Sequence, residues 1–256
     1  MTTDSMIAVI AAFAILNVVV VVAVVVVVRR IIAGRRQAVE EARRAEASAR
    51  GWTFDVAREG PSLVHHWRGV TDGIEWVAQS IGTAPRGAVR PRMLNCSRWR
   101  TVNVRGPAAL VLCLGVQRGK ERPDITLGRG EGRIASLLQA GVRRGLGEGL
   151  VRYLGEETAK AVDAEALTIV DGVNIPGFTV MAVDPPAAAR VLLQGLESRL
   201  NAAIRDTTSL LSDEDRPWIL LWPGGVAIGQ RSAVQSSTDV ERFISGGTAL
   251  VKAARF

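Results

Sequence analysis

Residues 62–80 read SLVHHWRGVTDGIEWVAQS, and this stretch decides the fold. Apolar and polar side chains alternate on both sides of its centre, which is the pattern of two half-buried strands. At the centre, Asp72-Gly73 supplies the positive φ that a tight hairpin turn needs. The stretch therefore predicts an antiparallel hairpin, and alternation places His66 and Arg68 on the same face of its first strand.

Further strands and helices follow this hairpin along the chain. Strand patterns cover residues 99–105, 108–116, 167–170, 178–183, 218–222 and 226–230. Helical periodicity covers residues 134–154, a helix that Asp184 caps, and a last helix with a capping box at Thr238 and Glu241. This order predicts an α+β fold, a largely antiparallel sheet packed with about three helices.

Residues 177–204, GFTVMAVDPPAAARVLLQGLESRLNAAI, and residues 218–229, WILLWPGGVAIG, carry a resemblance to a known family. Together with the N-terminal apolar run, they resemble a family of uncharacterised bacterial single-pass membrane proteins. The likeness covers roughly Gly177 to Val251, and its motifs are structural. That family has no established activity, so the resemblance implies a layout and no catalytic residue.

The N-terminal apolar run, Met6–Val28, has 23 residues, and Asn17 is its one strongly polar member. As a helix it would measure roughly 34 Å, which is enough for a bilayer core of about 30 Å. A cleaved signal peptide would need a basic segment before the run, and none is present. The run therefore predicts a transmembrane helix, followed by candidate membrane-surface contacts at Arg29, Arg30, Arg35 and Arg36.

These arginines also predict the orientation, because basic residues flank the cytoplasmic side of a span. The N-terminus would lie outside the cell membrane and the C-terminal domain in the cytoplasm. Cys96 and Cys113 are too few for a disulfide framework, which agrees with a reducing compartment. The predicted organisation is residues 1–28 as tail and span, 29–50 as a basic helical stalk and 51–256 as the cytoplasmic α+β domain.

Charge is unevenly distributed along the chain. Residues 86–144 carry 13 basic and three acidic side chains, a balance of +10, whereas residues 145–256 have a balance of −4. Within the basic part, Arg98, Trp99 and Arg100 form a candidate basic patch. The first interpretation of this charge is that the arginines only solvate the protein surface, and the second is that they bind anionic lipid headgroups. Nucleic acid ranks last, because no recognition motif or set of stacking aromatics accompanies it.

Two features indicate association with another chain or subunit. Asn17 would find a hydrogen-bonding partner on another helix if it lay in lipid. Gly141, Gly145 and Gly149 recur every four residues along one helix, so this face approaches something closely. That neighbour is the domain's own sheet, a second subunit or a lipid surface, and these alternatives stay open.

No catalytic, cofactor-binding or metal-binding constellation is recognisable in the sequence. His65 and His66 are adjacent strand residues that point to opposite faces, so they do not ligate one metal together. The glycines of 128–132, GRGEG, match neither a dinucleotide nor a P-loop motif. We therefore predict a membrane-tethered interaction or scaffolding module. The alternatives are a subunit of a larger membrane complex, or an enzyme that acts on an anionic or lipid-like substrate through an unrecognised site.

Overall fold

A computed structural model describes residues 3–59, 62–83, 96–115, 145–210, 217–231, 234 and 236–254. In the first helix, side chains are described for Asn17 and from Val19 onward. The chain divides into two compact units, Met1–Glu46 and Ala47–Phe256. The second unit contains the whole sheet and the other helices, and it is the unit that concerns the candidate site.

The first helix, α1, covers Thr3–Ala49. Nowhere in the described residues is a helix both long and apolar enough to cross a membrane. This finding contradicts the predicted transmembrane helix. The predicted single-pass location, with the N-terminus outside and the domain in the cytoplasm, is contradicted with it.

The described part of the second unit forms one antiparallel sheet of nine strands, in the order β1-β2-β3-β4-β9-β8-β5-β7-β6. This arrangement confirms the α+β class with a large antiparallel sheet. The strands are β1 (Thr53–Glu59), β2 (Ser62–Thr71), β3 (Ile74–Thr83), β4 (Cys96–Thr101), β5 (Val111–Gly115), β6 (Thr168–Ile169), β7 (Phe178–Ala182), β8 (Trp218–Trp222) and β9 (Gly225–Gln230).

The predicted hairpin is present as β2 and β3. Asp72 has φ 53° and Gly73 has φ 73°, so the two turn residues adopt the left-handed conformation that the Asp-Gly pair favours. The register pairs Thr71 with Ile74 directly across the turn. The Asp72-Gly73 turn therefore determines the register in which β2 and β3 pair.

Helices pack on both faces of the sheet but not over equal areas. The helices are α2 (residues 145–154), α3 (Glu156–Ala159), α4 (Pro185–Val191), α5 (Glu197–Leu210) and α6 (Ser237–Ala254). Between α4 and α5 the backbone kinks at Gly195, whose φ is 99°. Asp184 caps α4 as predicted, because its side chain accepts a hydrogen bond from Ala187 N at 3.0 Å.

The larger core lies between one face of the sheet and helices α4, α5 and α6. Buried side chains of strands and helices meet there, among them Trp67, Trp76, Trp99, Ile228 and Phe243. On the opposite face, Leu150 and Leu154 of α2 pack over Leu112, Met181 and Leu220 of the central strands β5, β7 and β8. The β1–β4 half of that second face is the part of the sheet on which the candidate site lies.

Candidate functional site

A concave groove of about 930 Å³ lies over strands β1 to β4. His66, Gln79 and Arg98 contribute to its floor, and Gly155 and Glu157, at the start of α3, to one wall. Arg50, which follows α1, also lines it. Tyr153 of α2 packs with Val64, Ile81 and Cys96 on this face of β2–β4. The groove lies beside that contact, over the next rows of the same strands.

Strand register brings the polar floor together. His66 pairs with Gln79 across β2 and β3, and Gln79 pairs with Arg98 across β3 and β4. Paired residues of antiparallel strands lie on the same face, and neighbouring strands are about 4.8 Å apart. The three side chains therefore form one row across the floor. The next row contains Arg68 and Arg100, with Val77 between them.

His66 is held in this row by hydrogen bonding. Its Nδ1 lies 3.0 Å from Nε2 of Gln79, and its Nε2 lies 3.9 Å from Oε1 of Glu59. Because an amide nitrogen only donates, Nδ1 accepts and the neutral ring carries its proton on Nε2. Burial lowers the pKa of His66 from its ordinary value, although Glu59 and Asp55 oppose this and Arg68 and Arg98 add to it.

The lowered pKa predicts how stability depends on pH. The unfolded chain takes up a proton on this imidazole near pH 6.5, whereas the folded chain does so only at lower pH. Folding stability supplied by neutral His66 is therefore present above about pH 6.5 and is lost as the pH falls toward the folded pKa. We expect His66→Gln to flatten this part of the stability profile in urea unfolding between about pH 7.5 and about pH 5.

The matched control for that profile is His65→Gln, which removes an imidazole from the same strand on the opposite face. A flattening that both variants share would contradict the assignment to His66. So would a His66→Gln profile that runs parallel to the wild-type profile over the whole range.

Arg98 is the most constrained cation of the floor. Its Nε is buried and has no hydrogen-bond partner among the described residues. Burial lowers the pKa of the Arg98 guanidinium from its ordinary value, and the nearby Cys96 and Glu59 raise it. Gly155, with φ 92°, comes so close that a Cβ there would lie 2.6 Å from Nη1 of Arg98. A side chain on this turn would therefore collide with the guanidinium.

The predicted basic patch is divided between the two faces of β4. Arg98 and Arg100 both lie on the groove face, where Nη2 of Arg100 donates to Oε2 of Glu157 at 2.5 Å. Trp99 points to the other face and is 1% exposed. The structure therefore brings the two arginines together and places the tryptophan in the core against α6.

Neither cysteine has the surroundings of a reactive thiol. Sγ of Cys96 lies 3.5 Å from the carbonyl oxygen of Arg152, and burial raises the pKa of this thiol. Complete burial raises the pKa of Cys113 to about 12. A nucleophilic cysteine needs a lowered pKa, so His66 and Cys96, although they lie on the same face of the sheet, do not form an activated pair.

The other residues singled out in the sequence lie outside the groove. Gly149 packs against the ring of Trp218, and a Cβ there would lie 2.3 Å from it, whereas Gly145 faces open space. Gly141 lies outside the described residues. Self-association through these glycines or Asn17 stays a prediction, as do the membrane-surface contacts. In α1, Asn17 and all four arginines of those contacts are exposed: Arg29, Arg30, Arg35 and Arg36.

Sequence reasoning missed most of the floor. Alternation along β2 already placed His66 and Arg68 on one face, and alternation along β3 placed Gln79 with Val77. The pairing of β3 with β4, which adds Arg98, has no local signal. Among the described residues, no group of His, Cys, Asp and Glu side chains is arranged to hold a metal ion. No protein-family model, curated protein or solved structure matches the chain.

Proposed function

We propose that the unit Ala47–Phe256 is an interaction module that holds its ligand or partner in the groove over β1–β4. The observation that carries this proposal is the polar row His66, Gln79 and Arg98 on the floor of a groove of about 930 Å³. This volume lies in the range of about 300–1,000 Å³ that is typical of ligand sites. The proposal keeps the interaction role predicted from the sequence and omits the membrane tether.

The cost of this polar row supports the proposal. Each of its three side chains is only partly exposed, and polar groups that lose water without full hydrogen bonding oppose folding. The opposite face of the same strands is closed by apolar side chains, among them Trp67, Trp76 and Trp99. The second face of an antiparallel sheet is ordinarily polar and solvated. Here, however, the three side chains are partly withdrawn from water and converge in one concave surface, which favours a ligand.

A fragment screen on the full-length chain tests this proposal. Small anionic, cationic and neutral fragments are titrated while backbone amide signals of β2–β4 and the side-chain amide of Gln79 are followed by NMR. We expect binding fragments to shift these signals first, because a concave site with converging polar groups concentrates binding energy. Val77→Trp, which places a large ring on the groove floor, should weaken binding about tenfold or more.

The matched control is Leu193→Trp, which adds the same ring at a residue that is 65% exposed and outside the groove. It should bind fragments as the wild type does. The proposal is overturned if no fragment binds in the groove, or if Val77→Trp leaves binding in place.

A further inference from the structure

The guanidinium of Arg98 is partly buried on the groove floor, yet its surroundings give it little compensation. Its Nε has no hydrogen-bond partner among the described residues. The guanidinium of Arg98 also forms no ion pair with any Asp or Glu of the described residues. Arginine stays charged in proteins, so this site carries a desolvated positive charge.

Four glutamates of the described residues line the groove, and two of them form ion pairs with other cations, Glu156 with Lys160 and Glu157 with Arg100. The other two, Glu59 and Glu75, are exposed. Oε2 of Glu157 accepts from Nη2 of Arg100 at 2.5 Å. Glu59 lies beside His66, and its side chain is 60% exposed. Solvent therefore screens the attraction of Glu59 for Arg98. The charge on Arg98 remains available to an anion that enters from the open side of the groove.

We propose that the groove binds one oxyanion, the phosphate or carboxylate group of a small molecule, at the guanidinium of Arg98. Guanidinium donors match the oxygens of both groups in a planar, bidentate geometry. The floor would add a second cation, because Arg68 lies on the same face two strands away, about 10 Å between backbones. This proposal rests on the proposed function in one respect, namely that both place the ligand in the same groove.

The shape of the site supports an oxyanion rather than a bare cation or an apolar group. An apolar group at Arg98 would exclude water from the guanidinium without replacing its hydrogen bonds, which is unfavourable. A cation placed at this position would be repelled by the guanidinium of Arg98 itself, because the exposed Glu59 and Glu75 of the lining are screened by solvent. An oxyanion neutralises the charge and accepts hydrogen bonds from the guanidinium of Arg98, which lines the groove, and the rest of the 930 Å³ groove holds the remainder of the molecule.

The test uses the full-length chain and two simple probes, inorganic phosphate and acetate, at constant ionic strength set with sodium chloride. The Nε–Hε NMR signal of Arg98 reports binding at the proposed atom. We expect at least one probe to shift this signal with saturation, with a dissociation constant on the order of millimolar. Which probe binds more tightly distinguishes a phosphate-bearing from a carboxylate-bearing ligand.

Arg98→Met keeps the long aliphatic chain and removes the charge. Followed through the amide signals of β3 and β4, this variant should bind the probe about 10- to 100-fold more weakly, because hydrogen bonds to charged groups are lost. It should also unfold at a temperature no lower than the wild type, since a buried charge without an ionic partner is removed. Arg242→Met, an exposed residue of α6 outside the groove, is the matched control and should bind as the wild type does.

Two outcomes overturn the assignment. In one, neither probe shifts the Arg98 signal. In the other, Arg98→Met binds as tightly as Arg242→Met. If fragments still bind in the groove in either case, the interaction module stands and only its oxyanion specificity is wrong. If phosphate binds at Arg98 but no fragment enters the groove, the anion site stands and the wider proposal fails.

Discussion

Trp99→Ala should lower the free energy of unfolding by about 3–5 kcal/mol, because large-to-small changes of buried aromatic residues cost this much. Trp99 is 1% exposed and lies in β4 near the middle of the sheet. Gly247 of α6 packs directly on its ring, and a Cβ at Gly247 would lie 2.6 Å from three ring atoms. Truncation would leave a cavity between β4 and α6, and α6 cannot move to close it because it also contacts β3 and β9.

Urea unfolding of the full-length chain measures this loss, and Trp222→Ala is the control. Trp222 is a tryptophan of the same sheet, but it is only half-buried at the β8–β9 turn. Its truncation should therefore cost clearly less. Nε1 of Trp99 has no hydrogen-bond partner among the described residues, so Trp99→Phe, which retains a ring, should cost far less than alanine. A loss below about 1 kcal/mol for Trp99→Ala would contradict the packing described here.

The role of Trp99 illustrates what the sequence could and could not predict. Between two arginines in Arg98-Trp99-Arg100, the tryptophan invited a surface-patch interpretation. Strand alternation alone places it on the face opposite both arginines. Which of the two faces is buried depends on α6, a helix more than 130 residues later in the chain, since it spans Ser237–Ala254. Local pattern therefore predicted the alternation, and only tertiary packing determined the buried side.

Elements with strong local signals were predicted well. The Asp72-Gly73 turn and the Asp184 cap depend on neighbouring residues, and both are present. The capping box of α6 is also real but is displaced. Ser236 and Asp239 exchange hydrogen bonds between side chains and backbone at 3.1 Å, where Thr238 and Glu241 were predicted. Because several hydroxyl and acidic residues follow one another here, the sequence predicts that a capping box is present but not which residues form it.

Pairing between distant strands was not predictable in this way. The strand patterns predicted at residues 99–105 and 108–116 follow each other in the sequence, but the corresponding strands are not neighbours in the sheet. β4 and β5 are separated in the sheet by β9 and β8, which come more than 100 residues later. Gly106 instead approaches the β8–β9 turn, where its N–H donates to the carbonyl oxygen of Pro223 at 3.1 Å. The groove depends on this non-local order, because β9 lies next to β4 and its Gly229 packs against the backbone of Tyr153 in α2.

Gly229→Ala should also destabilise the second unit strongly, by about 1–3 kcal/mol, as overpacking of a buried site does. A Cβ at Gly229 would lie 2.1 Å from the carbonyl oxygen of Tyr153 and 2.6 Å from its carbonyl carbon. These atoms belong to the backbone of α2, so no rotamer change relieves the contact. The helix would have to move away from β9, and we expect the loss at the upper end of that range.

Displacement of α2 should also change the surroundings of Arg98 in the groove. Gly229 pairs with Arg98 across β9 and β4, and α2 is followed by Gly155, which lies beside the guanidinium of Arg98. Urea unfolding measures the stability, and the Nε–Hε NMR signal of Arg98 measures the local displacement. Gly145→Ala is the matched control, because Gly145 is an exposed residue of α2 and no described atom lies within 4 Å of a Cβ there. This variant should be neutral or stabilise by up to about 1 kcal/mol. Equal stability of the two variants would show that α2 does not pack on β9 as closely as this geometry requires.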